Sequence, residues 1–228
     1  MAGAEDTRDS VAVRWFMGAS PGLKPRRLRS PGAAPRERRF GVAARAEFRS
    51  DRRKRREGIR LITPAYIRVM ARYNSEMNRR VYAGAARLTD DQRRADVGLF
   101  WKSLHGTLCH LLWGDRQWMS RLDGWPPNTI PNPQSPNLIH DFGELRAERE
   151  TADLKMEAFA NRLNDAWLSE DLTWYSGAAK KTLSREKRGL MVHFFNHQTH
   201  HRGQAHAALT MHGVDPGDTD LFLVIPDL

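Results

Sequence analysis

Phe194-Phe195-Asn196-His197-Gln198-Thr199-His200-His201-Arg202-Gly203-Gln204 sets histidines where the inner face of a helix should be apolar. At about 100° per residue, Leu190, His197, His201 and Ala208 fall within about 40° of one another, with Phe194 and Ala205 alongside. The two imidazoles therefore point inward. A buried imidazole without a partner costs roughly 1–3 kcal/mol, so a pair at i, i+4 in one apolar stripe calls for a shared solution. A divalent metal ion is the economical one. A carbonyl hydrogen bond to each ring is the plainer alternative. Gln198 stands where a His-Glu-x-x-His metalloprotease helix carries its glutamate, which speaks against that peptidase mechanism.

Outward from this stretch, the charge divides the chain. Residues 1–60 hold 17 Lys+Arg against 7 Asp+Glu, whereas residues 61–228 hold 20 of each, so the net charge of +10 belongs to the first part. That part contains Ser20-Pro21-Gly22, Ser30-Pro31-Gly32 and Arg52-Arg53-Lys54-Arg55-Arg56, with no sustained apolar period. It reads as a disordered Arg-rich tail, or as sequence upstream of a start of translation nearer Met70. A nucleic-acid reading drawn from the high pI concerns the tail and not the body, and no specific nucleic-acid partner is expected. No run of 18 apolar residues exists, which excludes a helical membrane span. The single Cys109 cannot form an internal disulfide, and a reducing cytoplasm is the expected compartment.

The body, residues 61–228, carries four long helical patterns. The first opens at Thr63-Pro64, an N-cap followed by proline at N1, and runs to about Leu88 with Asn74 and Asn78 on its inner edge. Thr89-Asp90-Asp91-Gln92 is a capping box for a short turn. The second helix is expected from about Leu99 to Leu122. Its apolar face is centred on Leu104, Leu111 and Leu122, and Asp115 lies on that face, a carboxylate that needs a specific partner. Pro126, Pro127, Pro131, Pro133 and Pro136 make residues 123–141 a long loop of the kind that covers binding sites. A third helix follows from about Phe142 to Leu163, then a small hairpin or irregular arm between Leu172 and Leu183. The fourth helix is expected from Ser184 to His212-Gly213 and carries the histidine stripe. The fold class is all-α, a four-helix bundle with one long connection.

In a bundle a third metal ligand comes from a facing helix, and the second helix offers His105 and His110. Periodicity does not choose between them, because neither lies on the apolar face.

Met70-Ala71-Arg72-Tyr73-Asn74, Leu104-His105-Gly106-Thr107-Leu108-Cys109-His110-Leu111-Leu112 with Asp115 and Trp118, and Asn196 through Gln204 together resemble the DinB family. The ending Gly213-Val214-Asp215-Pro216-Gly217-Asp218-Thr219-Asp220 is similar as well. The resemblance covers about residues 61–225. It implies a DinB-like four-helix domain in which three histidines hold a divalent ion, namely His110, His197 and His201. It also implies zinc, nickel or iron as the metal, with a low-molecular-weight thiol as co-reactant in members similar to bacillithiol or mycothiol S-transferases. The family's name refers to induction by DNA damage. Asn74, Asp115, His193, His200 and Gln204 are the expected pocket or supporting residues.

Three nitrogen ligands leave a position open for water or substrate, the layout of a catalytic site. The expected function is a metal-dependent transferase or hydrolase that activates a thiol or water on a small molecule, working alone or as a homodimer. No residue is singled out as catalytic. The alternative is a metal-stabilised binding module without turnover. Cys109 reads as a small buried hydrophobe.

Overall fold

The computed structural model describes residues 62–227, and the basic tail expected over residues 1–60 lies outside them. The chain runs α1 (Pro64–Ala86), α2 (Asp90–Arg94), α3 (Leu104–Leu122), a 3-10 turn (Asn132–Asn137), α4 (Phe142–Arg162), α5 (Asp165–Leu168), β1 (Asp171–Ser176), β2 (Lys181–Glu186), α6 (Lys187–Met211) and α7 (Leu221–Val224). The described residues are mostly helical with one two-stranded antiparallel sheet. None of these helices is long and apolar enough to cross a membrane.

Local chemistry sets most boundaries where the sequence places them. Thr63 caps α1 by accepting from the Tyr66 amide, and Pro64 fills the first turn, where no amide donor is needed. Thr89 and Gln92 close the reciprocal capping box of α2. α6 stops at His212, and Gly213 takes the left-handed conformation (φ 73°) that ends a helix without a Cβ clash.

Two helix starts differ from expectation. α3 begins at Leu104 instead of Leu99, because Lys102 adopts φ 66° and Ser103 then caps the helix by accepting from the Gly106 amide at 3.1 Å. α6 begins at Lys187 instead of Ser184. The segment after Leu172 is a regular hairpin, and its pairing continues to Asp171 opposite Glu186, so Ser184 is held in β2 with its hydroxyl 3.0 Å from that of Thr173. The proline-rich loop is also less irregular than proline content suggests: Pro133 and Pro136 sit within the 3-10 turn, which packs on α3.

The expected one-sided apolar face of α3 is corrected too. Every residue from Leu104 to Leu112 is buried, His105 and His110 included, because α6 and the 3-10 turn both pack on this end of the helix. Two large apolar clusters fill the interior, one around Leu104, Leu108, Leu112, Leu145, Ala205 and Leu209, the other around Ile67, Met119, Met156, Phe159, Phe194 and Phe195, and a small third one joins Met77 to Val224 and Ile225.

Polar groups run through this core and tie the four long helices together. Asp115 of α3 is 1 % exposed and Arg149 of α4 is 2 % exposed. Arg149 Nη1 donates to Asp115 Oδ2 at 2.5 Å, and its Nη2 pairs with Asp153 Oδ1 at 2.7 Å. Asn78 of α1 donates to both oxygens of Asp153 at 2.9 and 3.2 Å, and Gln198 of α6 donates to Asp115 Oδ1 at 2.7 Å. Burial works against the Arg149 charge, but Asp153 and Asp115 outweigh it and raise its pKa.

Removing one member strands the others in a low dielectric. Asp115→Ala is expected to cost about 3–5 kcal/mol in urea unfolding, with Arg149→Met at least as costly because it leaves two carboxylates uncompensated. A loss below about 1 kcal/mol for either contradicts this account.

Candidate metal centre

The histidine stripe of α6 faces the buried end of α3, and the fold brings His110, His197 and His201 together. One ligating nitrogen from each lies within 4.8 Å of the other two. His110 and His201 are buried and His197 is half-buried. His110 Nε2 and His197 Nε2 stand 3.3 Å apart. Two ring nitrogens in that position share either a proton or a cation.

His105, the rival on α3, turns away. Its Nε2 lies 2.9 Å from the Ile139 carbonyl, the plain solution for a core histidine. Cys109 is likewise spent on that carbonyl, its thiol donating at 3.3 Å, and burial pushes its pKa up to about 11. It is an inert small hydrophobe here.

The surroundings of the triad suit metal binding. His110 Nδ1 is hydrogen-bonded to Ser135 Oγ at 2.8 Å and His201 Nδ1 to Gln204 Oε1 at 2.9 Å, so in both rings the δ nitrogen is occupied and Nε2 is left for the cluster. Such outer hydrogen bonds orient ligand imidazoles and select their tautomer. Ser135 comes from the 3-10 turn and is fully buried, which explains why the proline-rich loop is pinned to α3. Proline spacing alone carried no sign of it.

Gly114 supplies the space. A Cβ on this residue would lie 2.8 Å from His197 Cε1, closer than two carbon atoms approach, so the His197 ring reaches the cluster by passing over a bare stretch of α3. A glycine in mid-helix costs about 1 kcal/mol relative to alanine. The reason for that cost lies in the facing histidine and is not visible in the local sequence of α3.

The remaining expected site residues divide into two groups. His193 and His200 are exposed, with rings 6.2 Å from His197 and 4.8 Å from His201. Asp115 and Asn74 do not touch the triad. Asp115 belongs to the Arg149 network, and Asn74 sits in the core with Nδ2 3.8 Å from Met156 Sδ. Two buried polar residues of α6 went unread in the stripe: Gln198, which holds Asp115, and Arg202, whose burial lowers its pKa to about 10. Each is adjacent to a histidine of the triad, and polar residues of that kind carry no apolar signature.

Burial, reinforced by the neighbouring imidazoles, lowers His110 to about 3 and His197 and His201 to about 4. The triad is therefore neutral at pH 7, with lone pairs available.

Two outcomes follow. In the metal-free chain the triad stays unprotonated down to about pH 4, whereas unfolded histidines take up protons from about pH 6.5. Stability is then lost as pH falls from about 6.5 to 4, at up to about 1.4 kcal/mol per pH unit for each histidine. Thermal melts of chelator-treated protein check this, and a flat melting temperature across the window contradicts it. Gly114→Ala is expected to weaken metal retention at least about tenfold without unfolding the chain, because the alanine's better helix propensity offsets part of the clash. Competition with a chromophoric chelator measures the loss.

Residues 62–225 match the model of the DinB family. Comparison with curated proteins finds no match.

Proposed function

This chain belongs to the DinB family, and on that membership together with the histidine triad we propose that it holds a divalent metal ion through His110, His197 and His201 and uses it to activate a thiol or a water for transfer or hydrolysis on a small molecule. The observation that carries the reading is the ligand set itself. It consists of three neutral imidazoles with nitrogens within 4.8 Å of one another, and among the described residues no carboxylate or thiolate completes the cluster. Three protein ligands leave a coordination position for a reactant, whereas structural sites are closed by four. An ion bound there supplies Lewis acidity and lowers the pKa of a thiol or water in the remaining position.

The chain's own residues do the positioning. Ser135 and Gln204 hold the rings of His110 and His201, Gly114 admits His197, and the exposed His193 and His200 lie beside His197 and His201. Imidazole ligands suit zinc, nickel and iron alike, so the ligand set selects a borderline divalent ion over magnesium or calcium. In this reading residues 61–228 form one DinB-like four-helix domain in a reducing cytoplasm.

Elemental analysis of the purified full chain tests the assignment. His110→Ala, His197→Ala and His201→Ala are each expected to lose most of the metal and to melt lower than the parent, since metal binding is coupled to the folded state. His105→Ala should keep its metal. Full occupancy in the three triad variants sinks the proposal, and loss in His105→Ala alone moves the ligand to the other histidine of α3.

A further inference from the structure

Arg202 of α6 is a buried cation that the described residues leave without a counter-charge. It is 5 % exposed, yet neither Nη1 nor Nη2 has an acceptor among the described residues. The buried carboxylates of the core are already engaged, since Arg149 holds both Asp115 and Asp153. What Arg202 does meet is a ring: its guanidinium carbon lies 5.7 Å from the centroid of Tyr73. Such a contact returns only part of what burying an unpaired charge costs. Buried charges in folded proteins are paired, and one that the chain does not pair calls for a partner from outside it.

That partner has a place to sit. Arg202 lines a cleft of about 650 Å3 between α1, α6 and the segment leading into α7, a volume that suits a small molecule. The cleft is separate from the histidine triad. His206 also lines it, and at about 100° per residue it stands about 180° round α6 from His197. The outer wall is held against α1, because Tyr73 Oη donates to the Thr219 carbonyl at 2.7 Å and Arg80 Nη1 donates to that of Asp218 at 3.2 Å. This wall presents three exposed carboxylates, Asp215, Asp218 and Asp220. Asp215 accepts from the Gly217 amide at 2.8 Å, and the side chains of Asp218 and Asp220 have no partner among the described residues.

The cleft thus has a positive charge on its buried side and negative charges on its exposed side. A multiply charged anion is repelled by the aspartates, and an amine alone leaves Arg202 unpaired. We infer that this cleft is a second ligand site, taking a small bipolar molecule whose carboxylate pairs with Arg202 and whose amine faces Asp218 and Asp220. Both Arg202 nitrogens are closed to water, so the pairing turns the guanidinium from the Tyr73 ring into the cleft, a side-chain change of the kind that commonly accompanies binding.

Calorimetric titration of the full chain tests the assignment. The probes are glycine, β-alanine and γ-aminobutyrate, zwitterions of increasing reach, set against butyrate and butylamine, which carry one charge each. At least one zwitterion is expected to bind about tenfold more tightly than either control, since it alone makes both pairings. Arg202→Met is expected to abolish that preference and to melt no lower than the parent, because an apolar chain replaces a charge that the fold does not pair. Replacing both rim carboxylates, Asp218→Asn with Asp220→Asn, is expected to bring the zwitterion down to the level of butyrate. Binding of no zwitterion, or of none more tightly than the controls, overturns the inference. An Arg202→Met chain that melts several degrees below the parent overturns it as well, since the guanidinium then serves the fold and not a ligand.

Discussion

The buried pair of Asp115 and Arg149 is the constraint on which the rest of the molecule depends. Each is almost wholly removed from water, and neither is tolerable alone. With Asp153, Asn78 and Gln198 they form a network that takes one or more members from each of α1, α3, α4 and α6. Apolar packing between helices tolerates sliding by a fraction of a turn. A charge pair with hydrogen bonds at fixed distances does not, because each broken bond leaves a desolvated polar atom. The network therefore sets the helix register that hydrophobic burial leaves soft.

That register places the histidines. Asp115 follows Gly114 in α3, and Gln198 follows His197 in α6. The hydrogen bond between Gln198 and Asp115 accordingly fixes the neighbouring pair, so that the His197 ring crosses α3 at the one residue without a side chain. On the far side of α3 the 3-10 turn supplies Ser135 to His110. The triad is thus assembled by a polar network beneath it and a proline-stiffened turn beside it, which hold three imidazoles together with no carboxylate among the clustered groups.

The site's outer boundary is made by different means. Trp101 and Phe100 precede α3, where the positive φ of Lys102 turns the chain, and Trp174 arrives on a hairpin inserted between α5 and α6. Trp101 there lies against His110, whereas Trp174 packs on Trp118, which in turn meets His193.

Much of this was determined by the sequence acting locally. The caps at Thr63 and Thr89, the stop at Gly213, the four long apolar patterns and the inward histidines of α6 all follow from interactions within a few residues of one another, and the motifs shared with the DinB family pointed to the family now matched. What only the tertiary structure decided are contacts between residues far apart in the chain. The periodicity of α3 does not choose between His105 and His110, because neither lies on its apolar face, and both are buried under the 3-10 turn and α6. The choice is visible only in where each ring points, one towards Ile139 and the other towards His197. Gly114, Ser135, Gln198 and Arg149 were unreadable for the same reason. A small or polar residue has no signature of its own, and its part is set by the atom that a distant segment brings against it.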